Sequence, residues 1–149
     1  GNLMLSIPQR GDGSIDSDER RILTDIAAWM RVNGEAIFET RPWRVHGEGP
    51  TTVAAGMHGE GAARPWTGQD IRFTTKGRTL YAFALEWPEE QRIVVHALTP
   101  QAGRVEAVEL LGGGALPFRQ TAEGLAVDLP AERPVTTAPA LRLRGAGLV

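Results

Sequence analysis

DIRFTTKGRTLYAFALEWP, residues 70–88, decides the fold. Ile71, Phe73 and Thr75 alternate with Arg72 and Thr74. Successive side chains of a strand point to opposite faces, so this period of two marks a strand with one buried face. Lys76-Gly77 signals a tight hairpin turn. Thr79–Trp87 is apolar on both faces, as in a strand covered on both sides.

The same period continues downstream. Arg92–Leu98 is rich in β-branched residues, Arg104–Leu111 follows, and Gly112-Gly113-Gly114 interrupts. Phe118–Thr121 and Leu125–Leu129 form a hairpin across Glu123-Gly124, with Leu125, Val127 and Leu129 facing in and Ala126 and Asp128 facing out. Leu141 and Leu143 alternate with Arg142 and Arg144 in the last strand. Strands at roughly 8–15-residue spacing, without helical period, predict an antiparallel β-sandwich over residues 70–149.

Upstream the pattern differs. Residues 44–68 hold six Gly and two Pro and show no clear period; residues 47–69 are expected to be a crossover. Before it lies one amphipathic helix over 17–33, capped by Asp16 or Ser17, with Asp18 and Glu19 in its first turn. Ile22, Leu23, Ile26, Trp29 and Met30 make its apolar stripe, and Asn33-Gly34 is expected to stop it in the left-handed conformation. Asn2–Ile7 reads as a short buried strand ended by Pro8. The division is thus a strand–helix unit (1–46), a crossover (47–69) and a sandwich (70–149), in a mainly β chain.

Composition bounds function. The chain has 149 residues, 42% hydrophobic, with 18 Gly, 10 Pro, no Cys and a net charge of −2. That suffices for a core and offers no basic field for nucleic acid or anionic lipid. Disulfides and thiolate metal sites are excluded. No apolar run approaches the roughly 18 residues of a membrane span. The start GNLMLSIP lacks an initiator Met, a basic leader and a cleavage site, and begins inside an apolar run. The chain is therefore expected to be a fragment of a longer protein.

Candidate chemistry is sparse. His46, His58 and His96 have no ligand spacing. Ser6, Ser14 and Ser17 lie outside any G-x-S-x-G motif, and the glycines at 112–114 precede no helix and no Lys-Ser/Thr. Trp29 is expected in the core, and Trp87 ends a buried strand. Trp43 and Trp66, each after Pro, are expected to seal a domain interface, with sugar stacking as the alternative. Glu35 and Glu39, four positions apart beside Trp43 in VNGEAIFETRPW (32–43), superficially match the paired carboxylates of glycoside hydrolysis. Such pairs need contrasting environments, and one exposed turn gives similar ones, so a solvated or salt-bridged pair is the preferred reading. No catalytic, substrate-binding or metal-binding residue and no cofactor is assigned.

GNLMLSIPQRGDGSID followed by RILTDIAAWMRVNGEAIFETRPW resembles the end of the catalytic barrel in α-L-fucosidases of glycoside hydrolase family 29, with its NLLLNIGP-x-x-DG-x-I strand and loop and its helix ending in NGEAIY-x-TRPW. DIRFTTKGRTLYAFALEWP and VELLGGG…FRQTAEGLAVDLP resemble the family's C-terminal region. The resemblance covers nearly the whole chain and is weakest at 47–66 and after about 131. It implies that Asn2–Ile7 and residues 17–33 are the last strand and helix of a (β/α)8-like barrel, followed by a C-terminal sandwich. It also implies a retaining hydrolase of terminal α-L-fucosyl linkages, acting on fucosylated glycans as an intact enzyme. The family's nucleophilic Asp and acid/base carboxylate come from earlier barrel strands and match nothing here, so the segment alone is expected to be inactive. Ser6 and Gln9 depart from the family pattern at the barrel mouth. The alternative is a non-catalytic carbohydrate-binding module. With barrel strands missing, the helix stripe is expected to pack on the sandwich or against another copy of the chain.

Overall fold

A computed structural model describes residues 4–52 and 65–149. It contains one helix, α1 (Ser17–Asn33), and nine strands: β1 (Arg41–Glu48), β2 (Ile71–Lys76), β3 (Thr79–Ala84), β4 (Arg92–Val95), β5 (Arg104–Leu110), β6 (Gly114–Ala115), β7 (Phe118–Thr121), β8 (Gly124–Asp128) and β9 (Ala140–Ala146). They form a six-stranded sheet in the order β1-β2-β3-β9-β5-β6 and a three-stranded sheet in the order β4-β8-β7. All pairings are antiparallel. The predicted sandwich is what forms.

Register separates the two faces of the large sheet. Ile71 pairs with Ala84, Phe73 with Ala82, Leu80 with Leu143 and Leu110 with Leu141. These side chains, all buried, meet Ile93, Val95, Leu125 and Val127 of the small sheet in one core. The opposite face carries a row across four strands, Thr74–Tyr81–Arg142–Glu109. A smaller cluster of Tyr81, Phe83, Leu111, Ala140 and Ala36 lies there, with Trp29 and Val32 of α1 packed on it. This is why β3 reads as apolar on both faces: one faces the core and the other faces the helix. Two side chains tie the sheets at their edges. The Glu48 carboxylate accepts from the His96 and Ala97 amides beyond β4, at 2.7 and 2.8 Å. Gln120 of β7 accepts from the Val105 amide and donates to the Gly103 carbonyl.

Three expectations need correction. Within Asn2–Ile7, residues before 4 lie outside those described, and Met4–Ile7 form no strand. A strand exists only through ladder partners, and no described strand runs beside this segment, whose Met4 is 90% exposed. Second, Arg41–Glu48 pairs with β2, so the sheet begins inside the stretch assigned to the strand–helix unit. Only Trp43 among its side chains is buried, and a strand with one inward anchor shows no sequence period. Third, Gly34 is right-handed, at φ −58°, and α1 runs on into a 3-10 turn over Gly34–Ala36. Its carbonyl takes the Ile37 and Phe38 amides. The left-handed residue is Glu39, at φ 60°. A Cβ at Gly34 would touch the Phe38 ring at 3.4 Å, an ordinary packing contact.

Asp16 is the N-cap of α1, its carboxylate accepting from the Asp18 and Glu19 amides. Gly112, at φ +78°, closes the β5–β6 turn against the helix; a Cβ would fall 2.7 Å from Val32 Cγ1. Among the described residues no helix is long and apolar enough to cross a membrane.

Candidate functional site

The VNGEAIFETRPW segment lies against the outer row of the large sheet and makes four connections there. Glu35 pairs with Arg142 at 3.1 Å. The Ala36 carbonyl accepts from Thr74 Oγ1 at 2.7 Å. The Phe38 carbonyl accepts from Lys76 Nζ at 3.2 Å, and Glu39 pairs with Lys76 at 3.0 Å. Arg142 also pairs with Glu109, whose other oxygen lies 4.0 Å from Arg144. The charges adjust accordingly. The hydrogen bond from Arg142 draws the Glu109 carboxyl below its ordinary range. Burial, then the Glu35 carboxylate beside it, pushes the Tyr81 phenol up. Glu35 and Glu39 thus answer two different cations on two different strands. The salt-bridged reading describes them, and the geometry is that of a docking contact between helix end and sheet.

Asn33 precedes this contact, wholly buried, with Nδ2 donating to the Trp29 carbonyl. Its Oδ1 has no partner among the described residues.

The tryptophans have divided roles. Trp29, Trp43 and Trp87 donate their indole N–H groups to the carbonyls of Ala138, Leu148 and Val135. Trp43 and Trp87 are buried, and the Trp43 ring lies 4.9 Å from that of Phe73. Buried indoles need such a partner, and all three are supplied by the last fifteen residues of the chain. Trp66 is exposed, with the Arg72 guanidinium 5.0 Å over its ring.

His46 is exposed on β1, and His58 lies outside the described residues. His96 follows β4 rather than sitting within a strand, its Nδ1 3.0 Å from the Glu123 carbonyl. Among the described residues no group of three His, Cys, Asp or Glu is placed to hold a metal ion. Ser14 folds onto Asp12, and Ser6 is exposed.

Asp70, at the head of β2, escaped the sequence reading. It is fully buried, and its carboxylate accepts from the backbone amides and the hydroxyls of both Thr51 and Thr67 at 2.8–2.9 Å. Burial alone would raise its pKa; the four donors outweigh it and hold the carboxyl below its ordinary range. The signal was available as T-x-x-D at a strand start, a local pattern in which side chain and backbone close on each other.

Two sheets packed face to face, with a helix and its exit turn pinned to the outside of the larger one, define a β-sandwich domain with an external helical strap. The family description "Alpha-L-fucosidase C-terminal domain" matches residues 65–144, and "Alpha-L-fucosidase" matches residues 1–35. Tissue alpha-L-fucosidase of Mus musculus is 33% identical over 141 residues, covering 93% of this chain and 27% of that protein. The crystal structure of Thermotoga maritima alpha-fucosidase with a mechanism-based inhibitor superposes with a TM-score of 0.69 at 25% identity, covering 96% of this chain and 30% of that one. An alpha-L-fucosidase from Bacteroides thetaiotaomicron, at 20% identity and a TM-score of 0.60, shares the fold. The chain belongs to the alpha-L-fucosidase family, and it spans under a third of the length of these relatives.

Proposed function

We propose that this chain is the C-terminal portion of a retaining α-L-fucosidase acting on terminal α-L-fucosyl linkages of glycans. The segment before β1 would complete the catalytic barrel, and the strands from β1 onward would form the accessory sandwich. The observation that carries this reading is the order of the two family matches, 1–35 and then 65–144, along one chain. The VNGEAIFETRPW contact is the physical link between them. Retention needs two carboxylates about 5–5.5 Å apart in contrasting environments. Glu35 and Glu39 are engaged by Arg142 and Lys76, so catalysis is assigned to the preceding part of the enzyme, and this chain to its support.

The exposed apolar side chains agree with that role. Met4, Leu5, Ile22 and Ile26 are 42–90% exposed, and we assign them to the remainder of the barrel. Without it, the same surface should pair two copies of the chain at high concentration.

A chimera tests the reading: the catalytic part of the Thermotoga enzyme continued by this chain. Hydrolysis of an aryl α-L-fucoside by the folded chimera, with none by the chain alone, is the expected result. A folded but inactive chimera, or turnover by the chain alone, would overturn it.

A further inference from the structure

Trp66 has no place in the docking contact or in the core, and its surroundings are organised. Residues 66–69 and 86–90 face each other across a cleft of about 290 Å³. Gly68 sets the approach of the two walls, since a Cβ there would fall 2.5 Å from the Pro88 backbone. Trp87 lines the cleft and is held still: its indole donates to the Val135 carbonyl at 3.1 Å, and Arg133 stacks on its ring at 4.9 Å. Thr67 is fixed by Asp70. Arg72 covers one face of Trp66 and braces the ring, while 39% of the residue stays exposed. Glu86, Glu89 and Glu90 add carboxylates to the lining. Glu86 accepts from the Trp87 amide, and Glu89 and Glu90 enter no ion pair among the described residues.

We propose that this cleft binds a single neutral, hydroxyl-rich sugar ring. The apolar C–H face of the ring would lie on Trp66, and its hydroxyls would donate to the free carboxylates. The volume lies at the lower end of ligand sites, about 300 Å³ and upward, which suits one ring rather than an extended chain. Carboxylates are strong acceptors for hydroxyl donors. A cationic ligand fits less well: Arg72 already occupies one face of the indole quadrupole, and a second cation on the other face meets its repulsion. By contrast the outward face of the three-stranded sheet presents Arg92, Val94, Arg119, Ala126 and Asp128, and the Phe118 at its edge is packed partly against the core.

Binding is read without turnover, so the result is independent of the fucosidase assignment. The ¹⁵N-labelled chain is titrated with methyl α-L-fucopyranoside, methyl β-D-galactopyranoside and, separately, trilysine. Shift changes confined to the Trp66 indole and the amides of 67–69 and 86–90, saturating with one of the sugars, are expected. Trp66→Ala should weaken binding about tenfold. Trp66→Phe should retain most of it, and E89Q/E90Q should weaken it about threefold while leaving the rest of the spectrum unchanged. Absence of shifts at sugar concentrations on the order of 100 mM, undiminished shifts in Trp66→Ala, or larger shifts with trilysine than with either sugar would each overturn the proposal.

Discussion

The two halves of α1 carry the same apolar pattern and meet different surroundings. In the second half, Trp29 and Val32 pack on Tyr81, Phe83 and Leu111, and the Trp29 indole is anchored to the Ala138 carbonyl. In the first half, Ile22 and Ile26 remain 43% and 42% exposed. Amphipathic spacing specifies which face of a helix is to be buried, but not by what. The stripe was expected to pack on the sandwich or on another copy; only its C-terminal part reaches the sandwich, because the sheet's outer apolar cluster ends there.

The contrast can be broken first at Trp29. Trp29→Ala should destabilise the chain by about 3 kcal/mol in denaturant unfolding, since it removes a large side chain and leaves a cavity over Phe83. A loss like that of an ordinary surface substitution would mean that the helix is not held by this half. Next is Asp70, which secures the crossover to the sheet. Asp70→Asn should cost about 2 kcal/mol, because an amide cannot accept from all four donors. The pH dependence has a definite sign. The folded pKa lies below the unfolded one. Its contribution is therefore complete above the unfolded value and disappears as pH falls below about 4. Asp70→Asn should flatten that part of the acid-unfolding curve.

A smaller effect is expected at the docking contact. Glu35 is partly exposed, so Glu35→Gln should cost only about 0.5 kcal/mol, and the cost should fall at high salt. A double-mutant cycle with Arg142→Gln, which removes the cation, measures the coupling. Smallest are Ile22→Ala and Ile26→Ala, which should change the stability of this chain by less than about 0.5 kcal/mol each. They should reduce its concentration-dependent self-association, read by sedimentation velocity. A large stability loss would show that the exposed half is already buried in solution.

These outcomes bear on what could be read from the residues. Strands β2, β3, β5, β8 and β9 were legible because alternation or a two-faced apolar run records burial directly. Strand β1 was not, since RPWRVHGE contains Pro42 and Gly47 and turns one anchor inward. Met4–Ile7 was over-read because apolar content without a ladder partner makes no strand. At the docking contact the residues of VNGEAIFETRPW were singled out, and their salt-bridged reading agrees with the geometry. Their partners Arg142, Lys76 and Thr74 were invisible, lying 37 or more positions away in sequence from the residues they meet. Asp70 was missed for a different reason: a lone carboxylate at a strand start looks like a solvated terminus until its four donors are placed.

The position of β9 has a consequence for synthesis. It is the last strand in the chain, yet it lies between β3 and β5 in the sheet, and the segment around it supplies the carbonyls for three indoles. A ribosome making this chain releases β3 and β5 long before the strand that joins them exists. Their facing edges stay unpaired until residues 140–146 have been made, the condition under which strand edges recruit other chains. A stop before position 140 would remove the middle of the sheet rather than trim its margin.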